Sequence, residues 1–170
     1  MIIGLSAAGF YLLFQLNDLL FQQLDYARGV SWLFLPSGLR LGLVLLLGFR
    51  GAVGVVLGSL LIGLDNDLHW IEAVLAALVS GLAPWMALWL SQRTLGLRSD
   101  LSNLSPAMLL KMAVVFALIS AAAHQLLYLS LGITQSFFKS LSVMAIGDLA
   151  GTLVVLYVIK WLVGRRTERP

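Results

Sequence analysis

The sequence has 170 residues, of which 60% are hydrophobic, 11% are charged and none is cysteine. Because an average soluble domain is about a quarter charged, the 11 basic and 8 acidic side chains are too few to cover a soluble domain of this length. The net charge of +3 is too small to indicate nucleic-acid binding, and the lack of cysteine excludes disulfides and thiolate metal sites. The class that remains is a polytopic membrane protein.

Six apolar segments follow one another along the chain. A membrane-spanning helix needs about 20 predominantly apolar residues, and the candidates are Ile2–Leu20, Ser31–Phe49, Ala52–Leu64, Trp70–Leu90, Ala107–Leu131 and Leu141–Val163. The third is short and rich in glycine, which favours a half-helix or a closely packed interior segment. The sequence therefore predicts an all-α polytopic membrane helix bundle with about six transmembrane helices.

Basic residues near the ends of these segments predict the orientation. If the N-terminus is cytoplasmic, only Arg28 and Lys139 fall in outer loops, and the other arginines near span ends fall inside. We therefore expect an N-in/C-in protein of the bacterial inner membrane. Residues 1–164 are expected to form the transmembrane domain and residues 165–170 a short basic cytoplasmic tail. That tail suits topology anchoring or contact with anionic lipid headgroups.

Three ionisable side chains lie inside the predicted spans. Arg40, His124 and Asp148 belong to three different segments and share one depth in the outer half of the membrane. Because a charge at bilayer depth costs at least ~2.5 kcal/mol, we expect them to face the bundle interior or a water-filled cavity. Arg40 and Asp148 are predicted to form a bidentate ion pair. One interpretation is that the cluster only fixes helix packing; the other is that it lines an outward-facing cavity for a small or anionic ligand.

The motif Pro36-Ser37-Gly38 interrupts the second span. Pro36 cannot donate a backbone hydrogen bond, so the motif predicts either a proline kink or a half-helix that begins near Pro36. The positive N-terminal end of such a half-helix would be a candidate anion site.

Two glycines flank the acid in the last span. Gly147 and Gly151 stand one residue before and three residues after Asp148, and their small size predicts that another helix comes close there.

The sequence offers little enzyme chemistry. Asp65, Asp67 and His69 could be read as a metal or proton site, but their place in an outer loop favours a solvated turn. The chain has no recognisable nucleophile–base set, zinc-protease motif or phosphate-binding loop. We expect a protein that is not an enzyme and has no metal site and no cofactor.

The order of these features resembles the MASE1 family of bacterial integral-membrane sensor domains. In that family a Trp-Pro-Pro-x-Gly motif precedes an aliphatic helix, a Gly-Tyr-Arg-like turn, a short glycine-rich helix and, much later, a Gly-Asp-x-x-Gly helix. The matching segments here are Phe34–Gly38, Gly48–Arg50, Gly54 with Gly58, and Gly147–Gly151. Leu35 stands where the family has its first proline, and a full family domain has more helices. The segment Pro36–Leu43 is also similar to the membrane part of a hexose-phosphate sensor kinase.

The resemblance implies a sensory or regulatory subunit. Such a subunit would act through a separate membrane or membrane-associated partner, because the kinase, cyclase or phosphodiesterase domain usual in the family is not expected in this sequence. Its other contacts would be the lipid bilayer and a small ligand, and not nucleic acid. Two alternatives stay open: a component that binds or transports a small solute, and a structural assembly subunit of a membrane complex.

Overall fold

The computed structural model describes the backbone of residues 1–134 and 136–167, with side chains up to Ile159 and that of Trp161. The elements in chain order are α1 (Ile2–Phe21), a short 3-10 turn (Gln22–Leu24), β1 (Asp25–Ala27), β2 (Val30–Ser31), α2 (Pro36–Leu47), α3 (Phe49–Asp65), α4 (Trp70–Thr94), α5 (Pro106–Ser130) and α6 (Phe137–Thr167). The helical fold class is therefore as predicted. α6 continues past residue 164, whereas the side chains of Arg165 and Arg166, and all of Arg169, lie outside the described residues.

Within the part of the chain that the structure describes, four helical segments are long and apolar enough to cross a membrane. They are Ile2–Leu24, Trp70–Thr94, Pro106–Ser130 and Phe137–Ile159, which together make a multi-pass membrane protein. α2 has 12 residues, which at 1.5 Å per residue is about 18 Å, too short for a hydrocarbon core of roughly 30 Å. The third predicted segment forms α3, which has 17 residues and is not among these four helices, but the shortest helix is α2.

The second predicted span is corrected at its beginning. Residues 31–35 do not form helix: β1 and β2 make a small antiparallel hairpin, and the non-helical segment 31–35, which we call the extended segment, leads into α2. Pro36 occupies the first turn of α2, where its missing N–H has no partner to lose. The half-helix interpretation is therefore confirmed, and the proline-kink interpretation is wrong. Apolar residues such as Trp32 and Phe34 fit a buried extended chain as well as a helix, so hydrophobicity alone cannot separate the two.

The half-helix α2 lies at the centre of the bundle. It contacts all five other helices, most extensively α6 and α3. Leu41 and Val44 of α2 pack in one core cluster with Met112 and Phe116 of α5. Around it, α3 lies against α1 and α4, and α5 packs between α4 and α6. The turns of α2 that carry Arg40 are thus enclosed by the other helices, whereas Leu46 near the end of α2 is exposed.

Candidate functional site

An ion pair joins the central half-helix to the last helix. Arg40 Nη2 lies 2.9 Å from Asp148 Oδ1, and the two side chains are only 2% and 1% exposed. The predicted partners are therefore in contact, although through a single hydrogen bond and not the bidentate geometry expected. Arg40 Nε and Asp148 Oδ2 are buried and have no hydrogen-bond partner among the described residues. The pair thus neutralises both charges while leaving part of its hydrogen-bonding capacity unused.

Two aromatic rings hold the guanidinium in place. The Arg40 guanidinium carbon lies 5.3 Å from the ring centre of Phe34 and 5.4 Å from that of Phe116. Phe34 comes from the extended segment before α2, and Phe116 from α5. A cation within about 6 Å of a ring centre is attracted by the ring quadrupole. The charge of Arg40 is therefore stabilised by three separate elements of the fold.

Backbone donors in the extended segment find partners on three different elements. The N–H groups of residues 32 and 34 donate to carbonyl oxygens of Leu24 and Gly147, respectively. The Leu35 N–H donates to Asn17 Oδ1 of α1 at 2.9 Å. Irregular backbone at membrane depth is tolerated only where it is buried in protein or lines a cavity. Asn17, which is 5% exposed, is thus a positioning residue for the site.

Glycines allow this segment to lie directly on α6. An added Cβ at Gly147 would collide with the Ser31 carbonyl oxygen, and one at Gly151 with the Phe34 carbonyl oxygen. On the facing side, a Cβ at Gly38 would lie 2.6 Å from Cβ of Val155. Close approach at the two α6 glycines was expected, but the element that approaches Gly147 and Gly151 is extended backbone and not a helix.

Ser37 connects the start of α2 to the same turn of α6. Its hydroxyl lies 2.7 Å from the Asp148 carbonyl oxygen and 3.2 Å from the Thr152 hydroxyl, which itself donates to that carbonyl. All three polar groups are buried. The Ser37 contacts and the Arg40 ion pair therefore link the two helices on adjacent turns.

His124 belongs to a separate hydrogen-bonded chain. Its Nδ1 lies 2.9 Å from the Ser120 carbonyl oxygen, which can only accept, so Nδ1 carries a hydrogen. Nε2 of a neutral imidazole then accepts from Ser80 Oγ at 3.3 Å, and Ser80 accepts from Ser59 at 3.1 Å. His124 therefore lies beside the ion pair on the same cavity and bonds to α4 instead of to Arg40 or Asp148.

A cavity of about 520 Å³ opens above these groups. We call it the central cavity. Arg40, His124 and Asp148 all line it, together with residues of α1, the hairpin, α3 and α4. A volume of this size falls within the roughly 300–1,000 Å³ usual for small-molecule sites. The structure therefore brings the three ionisable residues predicted from the sequence to one cavity.

The hairpin forms the mouth of the central cavity. Arg28, at its turn, makes an ion pair of 2.9 Å with Glu72 at the start of α4. Gly29 has φ +70°, and an added Cβ there would lie 2.6 Å from the Tyr128 hydroxyl of α5. Lys139 Nζ of α6 lies 5.0 Å from the ring centre of Tyr26. Contacts to three helices thus hold the hairpin across the entrance.

An acidic pair lines the same mouth. Asp25 of β1 and Asp18 of α1 are both exposed and both line the cavity. Partial burial raises the pKa of Asp25 above its ordinary value of 3.8, the negative charge of Asp18 raises it further, and the nearby Ser31 hydroxyl lowers it. Within the described part of the chain, neither carboxylate forms an ion pair. With Arg28, Glu72 and Lys139 included, the carboxylates at the mouth outnumber the cations by one.

The loop after α3 does not bring its acidic residues and His69 together as a metal site within the described residues. Asp65 accepts hydrogen bonds from Tyr11 and Gln15 of α1 at 2.9 Å each, and His69 caps α4 by accepting from the Ile71 N–H at 3.4 Å. Among the residues that the structure describes, no three His, Asp or Glu side chains lie close enough to hold a metal ion.

Residues 4–170 match the model of the MASE1 family, whose members are membrane-associated sensory domains. The match includes the ion pair, the glycine contacts and the whole lining of the central cavity. No curated protein and no solved structure matches the chain.

Proposed function

Because the chain belongs to the MASE1 family of membrane-associated sensory domains, we propose that it is a signal-input domain. A small molecule bound in the central cavity is the signal, and the contact between α2 and α6 transmits it. The observation that carries this proposal is that the cavity ends at the Arg40–Asp148 pair, which joins those two helices. A ligand that reaches the pair has different contacts with the two helices, which is what a ligand needs in order to shift a conformational equilibrium.

The route out of the site is α6. Asp148, Gly151 and Thr152 contact the start of α2 on adjacent turns, and the helix then continues to Thr167. In the proposed N-in/C-in orientation this end reaches the cytoplasmic face of the bacterial inner membrane. A membrane or membrane-associated signalling protein that contacts this end of α6 is the proposed partner.

The first experiment tests whether the cavity binds ligand. The chain, in lipid nanodiscs, is heated with choline, glucose or inorganic phosphate, which represent a cation, a neutral molecule and an anion. At least one is expected to raise the unfolding temperature. Ala76→Trp should abolish the effect, because Ala76 lines the cavity. Val74→Trp is the matched control, since Val74 lies on the exposed face of the same helix. If none of the three compounds stabilises the chain, the proposal is wrong.

The second experiment tests transmission. The chain has no cysteine, so spin labels can be attached to Leu46→Cys on α2 and Tyr157→Cys on α6, which are 81% and 70% exposed. A stabilising compound should change the distance distribution between the labels, and Ala76→Trp should prevent the change. A compound that binds without altering the distance rules out signal input through this contact. Its movement into liposomes containing the chain would support the transport alternative instead.

A further inference from the structure

We infer that the central cavity binds a small organic cation, with the ammonium group held at the mouth by Asp18 and Asp25 and by aromatic rings. This inference rests on the proposed function, because it names the chemistry of the signal that the same cavity receives. Its basis is the distribution of charge and of aromatic side chains along the cavity wall.

The charges on the wall do not balance. Of six ionised side chains that line the cavity, the pairs Arg28–Glu72 and Arg40–Asp148 neutralise four. Asp18 and Asp25 remain, without an ion-pair partner among the described residues. The cavity lining therefore has a net charge of about −2, since aspartate is ordinarily ionised at neutral pH. Lys139, which contacts the Tyr26 ring without lining the cavity, reduces the local net charge to about −1. Such a lining attracts cations and repels phosphates and carboxylates.

The cavity wall also carries aromatic rings. Five aromatic side chains line the cavity, namely Phe10, Phe14, Tyr26, Phe34 and Tyr128. Phe34 and Tyr26 already contact Arg40 and Lys139, which leaves Phe10, Phe14 and Tyr128 for a ligand. Aromatic faces combined with carboxylates are the arrangement by which proteins recognise quaternary ammonium groups, because the cation interacts with the ring quadrupole and loses little hydration. A neutral sugar or an anion gains nothing comparable from these rings.

The cavity floor is consistent with a donor-bearing ligand. Asp148 is 1% exposed, lines the cavity, and its Oδ2 accepts no hydrogen bond within the described chain. The buried Ser120 hydroxyl lies close to this carboxylate, so either that hydroxyl or a donor group of the ligand can satisfy this oxygen. Arg40 Nε and the Ser120 hydroxyl are the unused donors nearby, and the charge of Arg40 is already neutralised by Asp148.

The anion site predicted at the start of α2 has no free donors. The N–H groups of Ser37 and Gly38 donate to the carbonyl oxygens of Phe34 and Leu35, and the Leu35 N–H is bonded to Asn17. An anion could bind there only by displacing these bonds. The net negative charge of the cavity favours a cationic ligand, and the lack of free N–H donors at the start of α2 disfavours an anion.

The test compares choline with 3,3-dimethylbutan-1-ol, its uncharged isostere, by calorimetric titration of the chain in nanodiscs. Choline should bind at least about tenfold more tightly, since cation–π and carboxylate interactions of ordinary strength correspond to that ratio. Asp25→Asn, alone and combined with Asp18→Asn, should weaken choline binding. Asp67→Asn is the matched control, because Asp67 lies in the loop on the same side of the bundle but does not line the cavity.

Several results would overturn the inference. Equal affinity for the two isosteres would do so, as would unchanged choline binding in Asp25→Asn and the double variant, or the absence of choline binding. If only phosphate or glucose binds, and Ala76→Trp abolishes that binding, the organic cation is wrong while the proposed function survives. If choline binds in the cavity but the α2–α6 label distance does not change, the cation is right and the proposed function is wrong. Asp25 is exposed on the hairpin, so its single variant keeps the test valid should the double variant not fold.

Discussion

The Arg40 guanidinium and the Asp148 carboxylate meet at 2.9 Å although 108 positions separate them in the chain. Each is almost fully buried, so each compensates the charge of the other. Removing one partner of a buried pair leaves an uncompensated charge, which typically costs about 3–5 kcal/mol, whereas removing both costs much less.

Arg40→Gln and Asp148→Asn should therefore each destabilise the chain by about 3–5 kcal/mol, and the double variant should lose less than either single variant. Equilibrium unfolding in mixed detergent micelles measures the three free energies. Arg98→Gln is the control, because the Arg98–Asp100 pair is exposed and its loss should change stability by less than about 1 kcal/mol. Additive losses in the double variant would contradict the coupling.

A methyl group added at Gly151 should disrupt the packing of the extended segment against α6. Its Cβ would collide with the Phe34 carbonyl group and lie 2.8 Å from the Leu35 nitrogen, and backbone cannot rotate away. Gly151→Ala should cost roughly 1–3 kcal/mol or more by overpacking.

The control for this substitution is Gly42→Ala on α2, where nothing lies within 4 Å of the added Cβ. Alanine is favoured over glycine inside a helix by about 0.5–1 kcal/mol, so this variant should be neutral or slightly stabilised. Thermal unfolding of both variants in the same lipid compares them. Equal behaviour of the two would show that the segment does not rest on Gly151.

Ser80 should matter to stability through His124. Ser80→Ala leaves the buried Nε2 of His124 without its donor and Ser59 without its acceptor, and an unsatisfied buried polar group costs about 1–3 kcal/mol. Ser142→Ala removes only a hydrogen bond to the Phe138 carbonyl oxygen at an exposed position, so a change within about 0.5 kcal/mol is expected. The unfolding free energies of the two serine variants decide the point.

Choline binding should depend on pH through Asp25. Burial and the charge of Asp18 hold the pKa of Asp25 above 3.8, and only the ionised carboxylate attracts the cation. Affinity should therefore fall as the pH is lowered through this raised pKa, and binding near it should release a proton. The other charged groups around Asp25 are Arg28 and Glu72 across the mouth and Lys139 of α6 beside Tyr26.

Asp25→Asn should remove this part of the pH dependence, which calorimetric titration in buffers of different ionisation enthalpy measures. Stability should respond in the opposite sense to affinity. An acid whose pKa is raised by folding binds more protons folded than unfolded, so its contribution to stability falls as the pH rises through the raised pKa. Asp25→Asn should accordingly be slightly more stable than the natural chain at neutral pH. Lower stability, or an unchanged pH profile, would contradict the assignment.

The polar residues of the site were predictable because they stand out from their surroundings. Arg40, His124 and Asp148 interrupt long apolar stretches, and a charge at bilayer depth demands a protein partner or water. Gly147 and Gly151 could be interpreted for the same reason, since their spacing around Asp148 indicates close approach. These signals depend on the residue types alone and survive errors in the predicted span boundaries.

The extended segment and the mouth of the central cavity were harder to predict from the sequence. A segment such as 31–35 is apolar whether it is helical or extended, and only Pro36 marks the true helix start. Asn17 lies at the polar end of the first predicted span, where a solvated amide is the ordinary interpretation, and its bond to Leu35 is a tertiary contact. Asp18 and Asp25 are likewise ordinary loop acids until the fold places them on one cavity.

The bond from the Phe34 N–H to the Gly147 carbonyl also constrains biogenesis. As the chain emerges from the ribosome, α1 and the hairpin are made long before α6 exists. Until α6 is inserted, this donor in the extended segment lacks its acceptor, and Arg40 lacks its counterion. Lipid would penalise both groups by several kcal/mol. The half-helix α2 should therefore remain at the membrane interface or within the insertion machinery until α6 is inserted. The second helix to be synthesised would then be the last to join the bundle.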